Sequence, residues 1–223
     1  MGTVLISAEA TEAVSEIVVN AIELDIASVT VNGIAASFTL HEESERLIIS
    51  ADVAQGPCDI AIAFTGILND KLRGFYRSTF TDDSGVVRTI ATTQMQATDC
   101  RRAFPCFDEP DFKAVFSIDL TIKSEFLAVS NSSETKREVL ANGLTRIWFA
   151  DTMIMSTYLV AFVVGPLEAT ETEMVGDIAV RIIHVPGKSH LTEFGMRAGT
   201  FALDWFQTYY DVPYPSDKVD ILE

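Results

Sequence analysis

Arg101, Arg102, Asp108 and Glu109 place both signs of charge within nine residues, beside Phe104, Pro105, Phe107 and Pro110. Charges set among such neighbours are expected to pair in a buried or half-buried network that fixes a loop, with Asp99 joining it, because an unpaired ion there would be costly. They are read as support for a site rather than as its chemistry. Cys100 and Cys106 stand six apart around Pro105 in the same stretch, residues 92–116, TTQMQATDCRRAFPCFDEPDFKAVF. They are expected to lie close in space as buried free thiols. With Cys58 the cysteines are odd in number and contain no CxxC pair. That argues against a disulfide framework or a zinc knuckle and for a reducing, cytoplasmic setting.

A catalytic zinc centre needs two histidines one helical turn apart and a carboxylate, leaving one position open for water. The sequence holds only His41, His184 and His190. His41-Glu42-Glu43-Ser44-Glu45 imitates the start of HExxH, but Glu45 stands where the second histidine would be, so an acidic turn between strands is expected. His184 falls in a strand and His190 ahead of a helix. No metal-ligand set and no catalytic residue is assigned, since GxSxG, a Gly-rich phosphate loop and a cysteine with a histidine partner are also absent. The role of the chain itself is expected to be binding or structure.

The 92–116 stretch resembles the most recognisable segment of the N-terminal domain of zinc aminopeptidases of the puromycin-sensitive and aminopeptidase-N family. NDKLRGFYRS at 69–78, SNSSE at 130–134, MSTYLVAFVVG at 155–165 and YYDVPYPSDKVD at 209–220 resemble further segments in the family's order and near its spacing. Together they cover nearly the whole chain. The resemblance implies a saddle-like antiparallel β-sandwich whose hairpin reaches the active-site cleft of a following domain, and peptide substrates with a free N-terminus. It implies that Gln94 lines the pocket for the first substrate side chain.

Gln96 stands where most peptidases of the family carry a glutamate that binds the substrate's α-ammonium. An amide there offers a dipole in place of a full charge, whose attraction is worth about 4 kcal/mol at 4 Å and an effective dielectric of 20. A glutamine at this position also resembles the leukotriene-hydrolase branch, which adds epoxide hydrolysis. The Gln96–Ala97 bond is implied to be cis. The zinc that polarises the scissile carbonyl would belong to the catalytic domain of the parent enzyme, past the GAMEN and HExxH segments, which the sequence stops short of. The chain is thus expected to be part of a longer enzyme, to bind no zinc and to be inactive alone. The rival reading is a non-catalytic β-sandwich that binds protein or carbohydrate, since fold does not fix function.

The elements that must position these residues are short. Up to about residue 185, runs of β-branched and aromatic residues are broken by turn clusters, which predicts strands over 3–8, 16–24, 28–31, 36–40, 46–51, 59–64, 73–81, 86–93, 115–123, 127–131, 145–150, 158–164 and 178–185. So many strands with almost no helical period imply antiparallel sheets packed as a sandwich. Asp82-Asp83-Ser84-Gly85 and Asn142-Gly143 are turn chemistry that should close hairpins. The period then changes: Phe194, Ala198, Phe201, Ala202, Trp205 and Tyr209 form one face of a helix, with Thr192 at its N-cap and Pro213 and Pro215 ending it. This apolar stripe requires a partner. The expected division is a sandwich over residues 1–167 and, over 168–223, the first strand and helix of an α/β-type catalytic domain.

With 223 residues, 48% of them hydrophobic, the chain can bury a sizeable core. No apolar run approaches the roughly 18 residues of a membrane span, and the N-terminal stretch lacks a basic leader pattern. The net charge is −16, and residues 1–70 hold eleven acids against the single base Arg46. Phosphate backbones would be repelled, so nucleic acid is excluded as a partner. The acidic surface serves either to attract cationic peptides or simply to keep the protein solvated.

Overall fold

Alternate side chains of the strand Gly56–Gly66 point inward, burying Cys58, Ile60, Ile62 and Phe64 on one face. In the computed structural model, which describes residues 1–222, this strand is central to a four-stranded sheet. Gly2–Ala10 pairs antiparallel with it on one side, Gly2 opposite Phe64, and Leu24–Val31 on the other, Val31 opposite Ile60. Ile34–Ala35 completes the sheet as a short edge. A second, three-stranded sheet runs Val14–Asn20, Arg46–Val53, Ser37–His41. One apolar cluster joins the inward residues of both sheets: Val29, Val31, Ile60 and Ile62 from the first, Val19, Leu47 and Ile49 from the second. Each such side chain contributes about 1.5–3 kcal/mol by leaving water.

The two sheets belong to one of two compact units, residues 1–76, 93–113 and 156–160. The other comprises residues 77–92, 114–155 and 161 onward. Its sheets run Asp119–Lys123, Leu144–Phe149, Glu134–Val139, and Leu127–Ser130, Phe162–Gly165, Val87–Gln94, Gly74–Thr81, the last two strands continuing into the first unit. A further sheet is built wholly from residues after 167. Ile178–His184 lies between Glu168–Ala169 and Glu173–Val175, and Lys218–Leu222 pairs with it in parallel. Among the described residues the architecture is thus mainly β, with largely antiparallel sheets and a single α-helix near the C-terminal end.

Both predicted turns close hairpins. Asp82 accepts hydrogen bonds from the Ser84 and Val86 amides and from the Ser84 hydroxyl, and Gly85 supplies the positive φ of 81°. Asn142 and Gly143, at φ of 62° and 71°, turn the chain between Glu134–Val139 and Leu144–Phe149.

Several strand boundaries differ from the sequence reading, each for a local reason. The run predicted over 16–24 breaks after Asn20, where the Ala21 and Ile22 amides donate to the Glu45 and Arg101 carbonyls instead of a ladder. Leu24–Val31 then begins anew. Residues 115–118 lie outside the strand Asp119–Lys123; there the Phe116 amide bonds to the Thr152 hydroxyl. The segment 158–164 opens as a short 3₁₀ turn, Thr157–Leu159, before the strand Phe162–Gly165.

The helix spans Thr192–Tyr210 and ends at Asp211, which takes the left-handed conformation. Thr192 is not its cap. A 3₁₀ turn, Ser189–Leu191, precedes the helix, and the Thr192 hydroxyl donates back to the Ser189 carbonyl. Nor does the predicted stripe provide the seat. Met196 and Leu203 pack with Val175, Val180, Ile182, Val219 and Ile221 of the sheet, and Gly199 lies over the terminal methyl of Ile221. Phe194 and Phe201 stay 73% and 70% exposed, and Trp205 stacks on Tyr209 with centroids 4.6 Å apart.

Met196→Ala is therefore expected to cost about 2 kcal/mol, the lower end for a buried large-to-small change. Phe201→Ala should stay within about 0.5 kcal/mol. Urea unfolding of the two variants checks this, and the reverse order would show that the aromatic stripe is the true seat. No helix among the described residues is long and apolar enough to cross a membrane.

Candidate functional site

The strand Val87–Gln94 delivers Gln94 at its end, and the chain turns immediately afterwards. Met95 is 2% exposed and acts as an anchor, while Gln94 and Gln96 on either side of it are exposed. Met95 is thus the inward residue between two exposed amides, at the point where the strand gives way to a turn. The Gln96–Ala97 peptide is cis, as the resemblance implies. The structure thus places the two glutamines as neighbouring outward-facing groups, able to donate and accept hydrogen bonds but carrying no charge.

The segment after Gln96 is braced by hydrogen bonds on several sides. The Asp99 amide donates to the Met95 carbonyl, and the Ala103 and Phe104 amides to the Cys100 carbonyl, closing a 3₁₀ turn over Cys100–Arg102. Asn20 pins the loop from outside: its backbone exchanges two hydrogen bonds with Cys106, and its side-chain oxygen accepts from the Asp108 amide at 3.1 Å. Gly74, at φ 66°, approaches the same turn, and a Cβ there would lie 2.7 Å from Arg102 Cβ. Only glycine fits that position.

The expected ion-pair network is present, with a changed membership. Arg101 Nε donates to Asp108 Oδ2 at 2.9 Å, and Arg101 Nη1 reaches Glu45 Oε2 at 3.0 Å. Arg102 Nε donates to Asp99 Oδ1 at 2.7 Å, and Arg102 also pairs with Glu45 and, through Nη1 at 3.0 Å, with Glu23. Lys71 completes the chain of charges at Glu23. Glu109 is exposed and outside the network, contrary to its expected place. Glu45 and Glu23 are the members that sequence reasoning missed. Both residues adopt positive φ at chain reversals, and Glu45 follows the acidic turn expected from the HExxH imitation.

The electrostatics follow from this packing. Burial would lower the ionisation of Arg101, but the bond and charge of Asp108 outweigh it, so the guanidinium is held above its usual range. The same holds for Arg102, where Asp99 and Glu23 outweigh burial. Burial would raise Glu23, yet the charges of Arg102 and Lys71 keep its carboxyl below its ordinary value. Asp108 has one oxygen on Arg101 and accepts from the Thr157 hydroxyl at the other, 2.6 Å away.

The histidines do not assemble a zinc site of the family's kind. His41 ends the strand Ser37–His41, His190 lies in the turn before the helix, and His184 is buried with Nδ1 2.9 Å from the Val185 carbonyl. Glu168 lies 3.9 Å from His184, and no second histidine joins them in a ligand group among the described residues. Cys58, Cys100 and Cys106 are free and buried. Cys100 and Cys106 do lie together, as their spacing around Pro105 leads one to expect, and Asp108 joins them.

The family described as Peptidase M1 N-terminal domain matches residues 1–159. Aminopeptidase 2 of Candida albicans is 35% identical across 99% of this chain and 24% of its own length. Aminopeptidase M1-A of Oryza sativa subsp. japonica is 38% identical across 99% of the chain and 26% of its own. The puromycin-sensitive aminopeptidase of Caenorhabditis elegans is 38% identical across 71% of the chain and 17% of its own. The chain thus spans about a quarter or less of the length of these curated relatives. A domain-family match over most of the chain, joined to the braced loop and the β-rich fold, leads to one assignment: the chain belongs to the Peptidase M1 N-terminal domain family.

Proposed function

We propose that this chain is the substrate-anchoring N-terminal domain of a cytoplasmic zinc aminopeptidase, with residues 168–223 opening its catalytic domain. The observation that carries the reading is the pair of outward-facing glutamines, Gln94 and Gln96, on a turn whose other side is locked by Met95 and the Arg101–Asp108 network. Binding at a fixed loop costs less ordering entropy than binding at a mobile one. The residues present do not fit the family's zinc, so the contribution of this chain is binding: Gln94 borders the pocket for the first side chain, and the Gln96 amide oxygen accepts from the peptide's terminal ammonium. Alone, the chain would not hydrolyse peptides. Three free, buried thiols support the reducing compartment.

The test uses the protein that carries this domain together with its catalytic domain. Gln96→Glu should tighten inhibitors bearing a free terminal amine, by less than the bare Coulomb figure of about 4 kcal/mol because water already satisfies part of the ammonium. N-acetylated partners of the same inhibitors should show no gain. Equal changes in inhibition constant for the charged and the capped series would mean that Gln96 does not read the amine.

A further inference from the structure

We propose that Cys100, Cys106 and Asp108 form a binding site for one thiophilic divalent cation, of the zinc or cadmium class. One ligand atom from each residue, the two Sγ atoms and a carboxylate oxygen, lies within 4.8 Å of the other two. All three residues are buried, at 0%, 5% and 2% exposure. Two sulfurs sharing a tetrahedral ion at metal–sulfur bonds of about 2.3 Å stand about 3.8 Å apart. That separation falls within the 4.8 Å limit inside which the three ligand atoms already stand.

The scaffold is already fixed. Cys106 is held by its paired backbone bonds to Asn20, and the Cys100 carbonyl accepts from Ala103 and Phe104. Asp108 is oriented by Arg101, whose amide and Nε both donate to Oδ2, and by Thr157 at Oδ1, which leaves the free acceptor site for an ion on Oδ1. This is the outer-shell support that sets the direction of a metal-binding carboxylate.

Charge balance favours the exchange. With both thiols protonated, the buried group is neutral, the Asp108 carboxylate offsetting the Arg101 guanidinium. A divalent cation replaces two thiol protons, which pass to the buffer, so the loaded group carries the same total charge. No ion is added to the interior without compensation, which is the cost that ordinarily opposes buried charge. Two thiolates and one carboxylate suit zinc and its softer congener, whereas magnesium and calcium require oxygen-only shells. The site is separate from Gln94 and Gln96 and does not rest on their proposed role.

The experiment is a titration of the reduced chain with cadmium chloride, followed by the thiolate-to-cadmium charge-transfer absorption. One equivalent should saturate the band. Cys58→Ala should leave it unchanged, Cys106→Ala should weaken affinity by at least about tenfold, and the Cys100→Ala, Cys106→Ala double variant should abolish it. No band with the parent chain, or a band that survives the double variant, overturns the proposal. Should the double variant fail to fold, X-ray absorption of the cadmium-loaded parent decides. Two sulfur neighbours with oxygen support the site, and one or none overturns it.

Discussion

Asp108→Ala is expected to destabilise the protein by about 3–5 kcal/mol, the cost of breaking a buried ion pair by removing one partner. The carboxylate is almost wholly enclosed, with 1% side-chain exposure, and Arg101 is 11% exposed. Asp108 accepts from the Arg101 amide and Nε and from the Thr157 hydroxyl, so its loss strands three donors at once. Glu45 remains beside Arg101 and keeps the guanidinium from being fully orphaned, which sets the expectation toward the lower end. Arg101→Ala strands the carboxylate in turn. The double variant should therefore lose less than the sum of the two, with a coupling of about 1–3 kcal/mol. Urea unfolding midpoints at unchanged slope provide the measurement. Simple additivity would show that the two residues act separately and that the ion pair does not brace the loop.

That network shows what sequence can reveal and where it stops. Arg101, Arg102, Asp99 and Asp108 are close along the chain, and crowding by Phe104, Pro105 and Phe107 already implies that they pair. Glu45 and Glu23 are more than fifty residues away in sequence, and nothing local marks a surface glutamate as the partner of a distant arginine. The exclusion of Glu109 has the same origin: charge and spacing do not reveal which way a loop residue faces.

Strands behave likewise. Gly56–Gly66 announces itself by alternation, whereas Glu134–Val139 is exposed at every position and pairs as a sheet edge with no apolar period to detect. Lys218–Leu222 is also beyond local reading, since parallel pairing with Ile178–His184 joins segments on either side of a whole helix. The helix is legible from its period, but its orientation is not. The largest apolar residues mark the face that stays exposed, while Met196, Leu203 and the small Gly199 form the seat. Size and hydrophobicity alone do not rank the faces of a helix, because the sheet it packs on is not visible in its own period.

Asp220→Ala should have a comparable effect in the other unit, again about 3–5 kcal/mol. Asp220 lies opposite Arg181 in the parallel register and accepts from its Nε at 2.9 Å and Nη2 at 3.1 Å. It also accepts from Lys218 Nζ, whose other bond is to the Ser130 carbonyl at 2.6 Å. The two cations differ in what they can do once the carboxylate is gone. Arg181 is 32% exposed and can turn to water, whereas Lys218 is 7% exposed and would remain as an uncompensated buried ammonium. The penalty therefore resides mainly in Lys218, and removing that charge as well should relieve it. Lys218→Met combined with Asp220→Leu replaces the ionic pair by apolar groups of similar size and should recover most of the loss. Unfolding of the three proteins, with hydrogen exchange along Lys218–Leu222, tests the argument. A cost for Asp220→Ala of only about 1 kcal/mol, the value of an exposed pair, would mean that water reaches Lys218. A double variant no better than Asp220→Ala would mean instead that the carboxylate is needed for Arg181 or for the strand pairing itself.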